Sequence, residues 1–382
     1  MLGNTFGRLF RVTTCGEAYG EALQAIVDGV PPGLELSEAD IQPDLDRRRP
    51  GQSEITSPRG ETDQVKIVSG VLNGYTTGAP VGMIIYNVDV LPTDAVYPRH
   101  LAQYEADKEL AIPGHADYTY YVKYGRFRDW RGCGRANGRE TAARVAAGAL
   151  AKKLLAREGV RVVAYTKALG GVHAREMDVD GKHSLDEIVD RAESNVARCP
   201  DLEAAEKMIQ RALEAGRQGD TVGGIVEAIV RGMPPGVGDP VFDKLSASIA
   251  HALMSIGSVK GIEFGAGFAL ADKMGSQGND SPYVDGDRVR FRSNNAGGLL
   301  GGITNGDDIV VRIVVKPTPL ISVEQHTVDM VEMEDVTLSS KARHDPTIVP
   351  RVVPVVEAMM AIVLVDHLMM WRGYSAFVKE SI

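Results

Sequence analysis

DWRGCGRANGRETAARVAAGALAKKLL, residues 129–155, joins a glycine-punctuated loop to a long helix. From Arg139 to Leu155, Ala and Leu recur at helical spacing, and Lys152 and Lys153 close the last turn, where the negative end of the helix dipole favours them. Upstream, Gly132, Gly134 and Gly138 allow backbone N–H groups to close on an anion, and the helix start adds partial positive charge. A turn with packing glycines would explain the glycines but not Arg131, Arg135 and Arg139 among them. The spacing fits neither a Walker loop nor a dinucleotide fingerprint.

Outward from this joint the pattern mixes helices with strands. Leu9 to Thr14 reads as a strand, with GEAYGEA turning into a helix near Glu21 and a Pro-Pro-Gly turn at residues 31–33. Ser37 with Asp40 forms a capping pattern for a helix running to Arg49. Apolar runs between Thr62 and Asp89 alternate with glycine-rich turns, as antiparallel strands do, and further strands are expected in Val222–Gly238, Val259–Phe268 and Ile309–Val315. Leu185 to Gly216 reads as two charged amphipathic helices forming a surface excursion, and Val352 to Trp371 as a helix begun near Pro354. No linker or short-period repeat appears, so residues 1–382 are expected to form one α/β (α+β) domain.

With 44% hydrophobic and 24% charged residues, the 382-residue chain can bury a substantial core. A net charge of -9 argues against a nucleic-acid binder, which needs concentrated Lys and Arg. The three cysteines, Cys15, Cys133 and Cys199, have no CxxC spacing, so neither a disulfide framework nor a metal site is expected, and a reducing cytoplasm is the simplest home. The N-terminus lacks a secretory apolar region, and no segment reaches the roughly 20 apolar residues of a membrane span. The most apolar run, Met359 to Val365, is expected to be a buried helix.

Four other constellations could carry chemistry. In LDRRRPGQS, residues 45–53, three arginines end a helix; they suit a substrate with several carboxylates or phosphates, or equally a solvated helix end. His115, in IPGHADYTYYVKYG, is a candidate general acid between Gly114 and Asp117, against the commoner structural histidine. SSKARHDP, residues 339–346, gathers Arg343, His344 and Asp345 before a helix that Asp345 could simply cap. The glycine-rich run from Ser293 to Lys316-Pro317-Thr318-Pro319 offers a close-approach wall for a flat ligand. Together these features describe an enzyme for a small anionic substrate, without naming a reaction.

In order along the chain, GNTFGRLFRVTT, VDGVPPG, DLDRRRPGQ, PGHADYTY, GRETAARVAAGA, GVGDPVFDKL, MSIGSVKGIEFGAGF, NNAGGLLGGITNG, RHDP and RVVPVVEAMMAIVLVDHLM resemble chorismate synthase. The resemblance implies helices sandwiched between antiparallel sheets, a homotetramer, and reduced flavin mononucleotide (FMN) as cofactor. It implies elimination of phosphate with a ring proton from 5-enolpyruvylshikimate 3-phosphate, giving chorismate with no net redox change. NADPH enters, if at all, as a reductant, at this chain or through a flavin reductase. On the same footing His115, Asp345 and Tyr19 are the expected catalytic residues. Arg48, Arg49, Ala18 and Arg139 are expected at the substrate. Arg135, Ala136, Asn137, Gly257, Ser258, Gly301, Lys316, Pro317, Thr318, Pro319, Leu320 and Arg343 are expected at the flavin.

The sequence departs from the family pattern where ligands are expected. The GESHG turn reads Gly16-Glu17-Ala18-Tyr19-Gly20, the arginine before PGHAD is Ile112, and a position often Arg is Glu54. The flavin loop carries Cys133 for Gly, and Ala136 and Asn137 for two serines. Losing Arg and gaining Glu both weaken anion binding. A flavin-dependent paralogue acting on a less anionic cyclic carboxylate, or a catalytically silent flavin-binding homologue, therefore stand beside chorismate synthase as alternatives.

Overall fold

The computed structural model describes residues 3–56, 60–88, 90, 110–177, 183–339 and 345–377. Two five-stranded antiparallel sheets enclose a helical layer. The first runs, in spatial order, Thr5–Phe6, Arg11–Cys15, Ala22–Asp28, Val81–Tyr86 and Val65–Ser69; the second runs Val259–Phe264, Ile309–Val315, Gly224–Arg231, Arg161–Leu169 and Val172–His173. Helices α1 (Gln42–Arg48), α2 (Asp117–Tyr124) and α3 (Thr141–Arg157) precede the C-terminal helix Val349–Ser375. Helix α3 packs on the first sheet, the C-terminal helix on the second, and the two helices pack on each other.

Small residues make that last contact possible. Helix α3 buries Ala142, Ala143, Ala146, Ala147 and Gly148, and a Cβ added at Gly148 would lie 2.2 Å from that of Ala358. The C-terminal helix begins at Val349, earlier than Pro354 suggested, because Pro350 occupies its first turn, where a missing N–H costs nothing. Pro354 then lies inside the helix and cannot bond the Pro350 carbonyl; Arg198 Nη1 donates to that oxygen instead, at 2.6 Å. By length and composition this helix could cross a membrane, yet 94% of its most apolar window is buried within the protein.

The helix expected near Glu21 is corrected. Ala22–Asp28 is a strand between Arg11–Cys15 and Val81–Tyr86, with Leu23, Ala25 and Val27 buried and Gln24 and Ile26 exposed. That alternation has period two, the signature of a strand buried on one face. The helix expected from Ser37 to Arg49 is divided: Ser37 and Asp40 form a capping box on a short 3-10 turn, Glu38–Asp40, and α1 follows. The two helices expected over Leu185 to Gly216 form as Leu185–Glu193 and Leu202–Arg217. Rather than standing off the body, the first packs Leu185, Ile188 and Ala192 against Val163, Tyr165 and Ile229 of the second sheet.

One buried carboxylate ties the helical layer together. Glu357 pairs with Arg47 of α1 at 2.6 Å and with Lys152 of α3 at 3.0 Å, and accepts from the Ala164 N–H at 3.1 Å. Burial alone would raise its pKa, but Lys152 and Arg47 outweigh that and bring it down to about 2. Since the folded value lies below the ordinary 4.5, the stability it contributes is complete above pH 4.5 and declines as the pH falls toward 2. Urea unfolding at pH 6, 4 and 3 should show a steeper loss in the natural protein than in Glu357→Gln, itself less stable at pH 6.

Candidate active site

The glycine-rich loop ahead of α3 forms one wall of the site. Gly132, Cys133 and Gly134 follow one another at φ 58, 61 and 50°. Glycine takes this left-handed conformation freely, whereas at Cys133 the Cβ makes it cost roughly 1–2 kcal/mol. Asn137 braces the loop: Nδ2 donates to the Gly132 carbonyl at 3.0 Å, and Oδ1 accepts from the Arg139 N–H at 3.0 Å. Arg135 reaches to the Gly16 carbonyl at 3.0 Å and to Thr14 Oγ1 at 2.7 Å, fastening the loop to the first sheet. The Tyr19 ring lies over Gly132, where an added Cβ would come within 2.6 Å of Cε2, and Ala18 beside it is buried.

His115 enters from the turn before α2. Its Nδ1 lies 3.0 Å from Asp117 Oδ2, and Asp117 also accepts from the Ile112 N–H at 3.4 Å. The donor atoms of His115, Asp117 and Cys133 all lie within 4.8 Å of one another, a grouping that the cysteine count alone gave no reason to expect. Burial, and then the Asp117 charge, push the Cys133 thiol up to about 12. Lys316 Nζ donates to the Gly114 carbonyl, and Pro319 would touch a Cβ at Gly114 at 3.5 Å, so the Lys316–Pro319 loop lies against the histidine's turn. The Lys316 N–H donates to Ser258 O at 2.9 Å, while Gly257 is exposed and Leu320 half-buried. Pro317 packs near Gly223.

Asp345 joins through Thr318, whose Oγ1 donates to the Asp345 carbonyl at 3.2 Å. Its carboxylate pairs with Arg351 at 3.2 Å and does not cap the C-terminal helix, which starts at Val349. Gly301 has other neighbours: it occupies the turn between Leu299–Leu300 and Ile303–Thr304, where Gly302 packs on Lys244. Arg343 lies outside the described residues.

Arg48 and Arg139 are turned inward, with side chains 1% and 2% exposed. Arg48 meets Asp63 at 2.9 Å; Arg139 meets Asp63 and, at 3.2 Å, Glu61, and donates to Asn87 Oδ1 at 2.8 Å. Their charges are thus balanced inside the protein, and neither presents a free fork to an anion among the described residues. Burial lowers the Arg48 pKa to about 10. Burial would raise that of Asp63, but Arg48 and Arg139 hold it below the carboxylate range. Arg49, by contrast, is 42% exposed and 4.0 Å from Asp46. Of these partners, Asp117 had a signal in the His-Ala-Asp spacing, whereas GETD, residues 60–63, carries none.

The family model described as "Chorismate synthase" matches residues 10–369. The chain belongs to the chorismate synthase family. It is 50% identical to a chorismate synthase of Methanosarcina mazei, with 97% of each chain covered, and 52% identical to one of Syntrophobacter fumaroxidans, covering 97% of this chain and 98% of that one. A crystal structure of chorismate synthase superposes with a TM-score of 0.76 at 32% identity, over 96% of this chain and 93% of the other. The departures from the chorismate synthase pattern at Ala18, Tyr19, Ile112, Cys133, Ala136 and Asn137 fall on or beside the joined loops, while Glu54 is exposed beyond α1.

Proposed function

We propose that this chain is a lyase that performs the chorismate synthase reaction, eliminating phosphate and a ring proton from 5-enolpyruvylshikimate 3-phosphate. The observation that carries the reading is identity of 50% to a chorismate synthase across 97% of the chain. The cofactor in this reading is reduced FMN, with NADPH only as reductant, here or at a separate flavin reductase. The chain's own residues fit an anionic cofactor: burial and the nearby Lys260 ammonium lower the Lys316 pKa, and neither lysine has a carboxylate partner among the described residues. An anion beside Ser258 would relieve that repulsion. When bound, reduced flavin would supply an electron-rich plane that favours loss of phosphate.

Within this proposal Arg135, Ala136 and Asn137, with Gly257, Ser258 and Lys316 to Leu320, would hold the flavin. The Asp117 carboxylate lies 3.0 Å from His115 Nδ1, on the side of the ring away from Nε2, which is left to protonate the departing phosphate. Asp345, steadied by Arg351, accepts the ring proton, and Tyr19 donates a hydrogen bond at the position of the family histidine. Phenol, with an ordinary pKa of about 10, carries protons less readily than imidazole at neutral pH. Cytoplasmic residence belongs to the same proposal, as does a homotetramer, which would cover exposed Phe127, Phe242 and Phe268.

The internal neutralisation of Arg48 and Arg139, with Ile112 for Arg, favours a second reading, in which the substrate is a less anionic cyclic carboxylate. An anaerobic assay with dithionite-reduced FMN and 5-enolpyruvylshikimate 3-phosphate separates the two. Chorismate and phosphate at an enzymatic rate are expected; bound flavin without product would overturn the first reading. Under the first, Ala18→Ser with Tyr19→His should raise turnover by up to about 100-fold, the lower range for a positioned acid–base group.

A further inference from the structure

We infer that His115, Asp117 and Cys133 form a site for one thiophilic divalent cation of the zinc(II) class, bound by one imidazole nitrogen, one carboxylate oxygen and one thiolate, with a fourth position open. Their donor atoms lie within 4.8 Å of one another. The edge of a tetrahedron built on Zn–N and Zn–S bonds is about 3.5 Å, so closure needs side-chain adjustments of about 1 Å. The mixed N, O and S set selects zinc or cobalt over magnesium or calcium, whose ligands are oxygens.

Two further observations support the site. His115 Nδ1 is shielded from solvent and makes no hydrogen bond, with the Asp117 carboxylate 3.0 Å away as a charge contact. Cys133 is a buried non-glycine at φ 61°, between glycines at 58 and 50°. Strain of this kind persists where the side chain has a use, and the glycine that the family pattern places here could supply no ligand. Arg128 and Asp129 also face the thiol, with opposite charges. Binding replaces the thiol proton, which leaves to solvent, and the two anionic ligands then balance the dication.

The site stands on geometry alone. One consequence rests on the proposed function: a cation on the His115 side would compete with the histidine's use as an acid, so that metal would inhibit this chain.

The full-length protein, treated with chelator and titrated with cobalt(II), gives a direct test. One equivalent should produce a near-ultraviolet thiolate-to-cobalt band with visible bands of four-coordinate intensity, and one zinc per chain should survive gel filtration. Cys133→Gly, which accepts the same backbone conformation, should abolish the thiolate band and weaken binding at least 10-fold, whereas Cys15→Ser and Cys199→Ser should leave both unchanged. Asp117→Asn should weaken binding with the thiolate band retained. The absence of a thiolate band in the natural protein, or its persistence in Cys133→Gly, would overturn the inference. Neither readout requires substrate or flavin, so failure here is separate from failure of the lyase reading.

Discussion

Asp63→Asn is expected to lower the unfolding free energy by about 3–5 kcal/mol, the range for removing one member of a buried ion pair. Asp63 is fully buried and is the one carboxylate shown in contact with both Arg48 and Arg139. The substitution keeps the side chain's volume and removes only the charge, so Arg139 would keep its contact to Glu61 while Arg48 would lose its 2.9 Å ion pair. Desolvation then decides the outcome, since each cation has been taken out of water for a partner no longer there. Chemical denaturation at pH 7 measures the loss. The double variant Asp63→Asn with Arg48→Met should be less destabilised than the sum of its singles, because the second change removes a charge the first has orphaned. A loss below 1 kcal/mol would mean that these arginines are not held by Asp63 and remain available to a ligand. With its folded pKa depressed, the Asp63 contribution is present above the unfolded value of about 3.9 and declines below it.

The contrast between Arg48 and Arg135 marks how far sequence could reach. Both stand in motifs whose chemistry suits anions, and residue type alone treats them alike. Arg135 is held by carbonyl and hydroxyl oxygens of Gly16 and Thr14, which leave its charge uncancelled, whereas Arg48 meets the carboxylate of Asp63, fifteen positions away in a stretch without signature. Periodicity was legible in the strand Ile309–Val315, whose alternate residues are buried, whereas α3, buried on nearly every side, read as a helix from its run of Ala and Leu. Ala22–Asp28 read wrongly because the glycine-bounded GEAYG turn resembles a helix entry, while the alternation that decides the matter begins only at Leu23. The His115–Asp117 pairing lies within one turn and could be anticipated, but Cys133 joins it from a loop whose path depends on three consecutive left-handed residues. Long-range convergence of this kind leaves no local trace.

His115→Asn should lower turnover of 5-enolpyruvylshikimate 3-phosphate by about 10²- to 10⁴-fold, the usual contribution of a positioned general acid, with the fold intact. Asparagine can keep a contact to Asp117 but carries no transferable proton, so the loss should appear in kcat and leave KM nearly unchanged. A general acid must begin protonated, so activity in the natural protein should fall as pH rises through the imidazole's titration, and that alkaline limb should vanish in the variant. Asp117→Asn, acting through the orientation of the ring rather than by proton transfer, should give a smaller loss with the limb retained. All of these rates belong in chelator, because a cation held by His115, Asp117 and Cys133 would mimic the variant in unmodified protein. If His115→Asn turns over at more than a tenth of the natural rate, the departing phosphate takes its proton elsewhere. Tyr19, whose ring lies over Gly132, is then the group to replace with Phe.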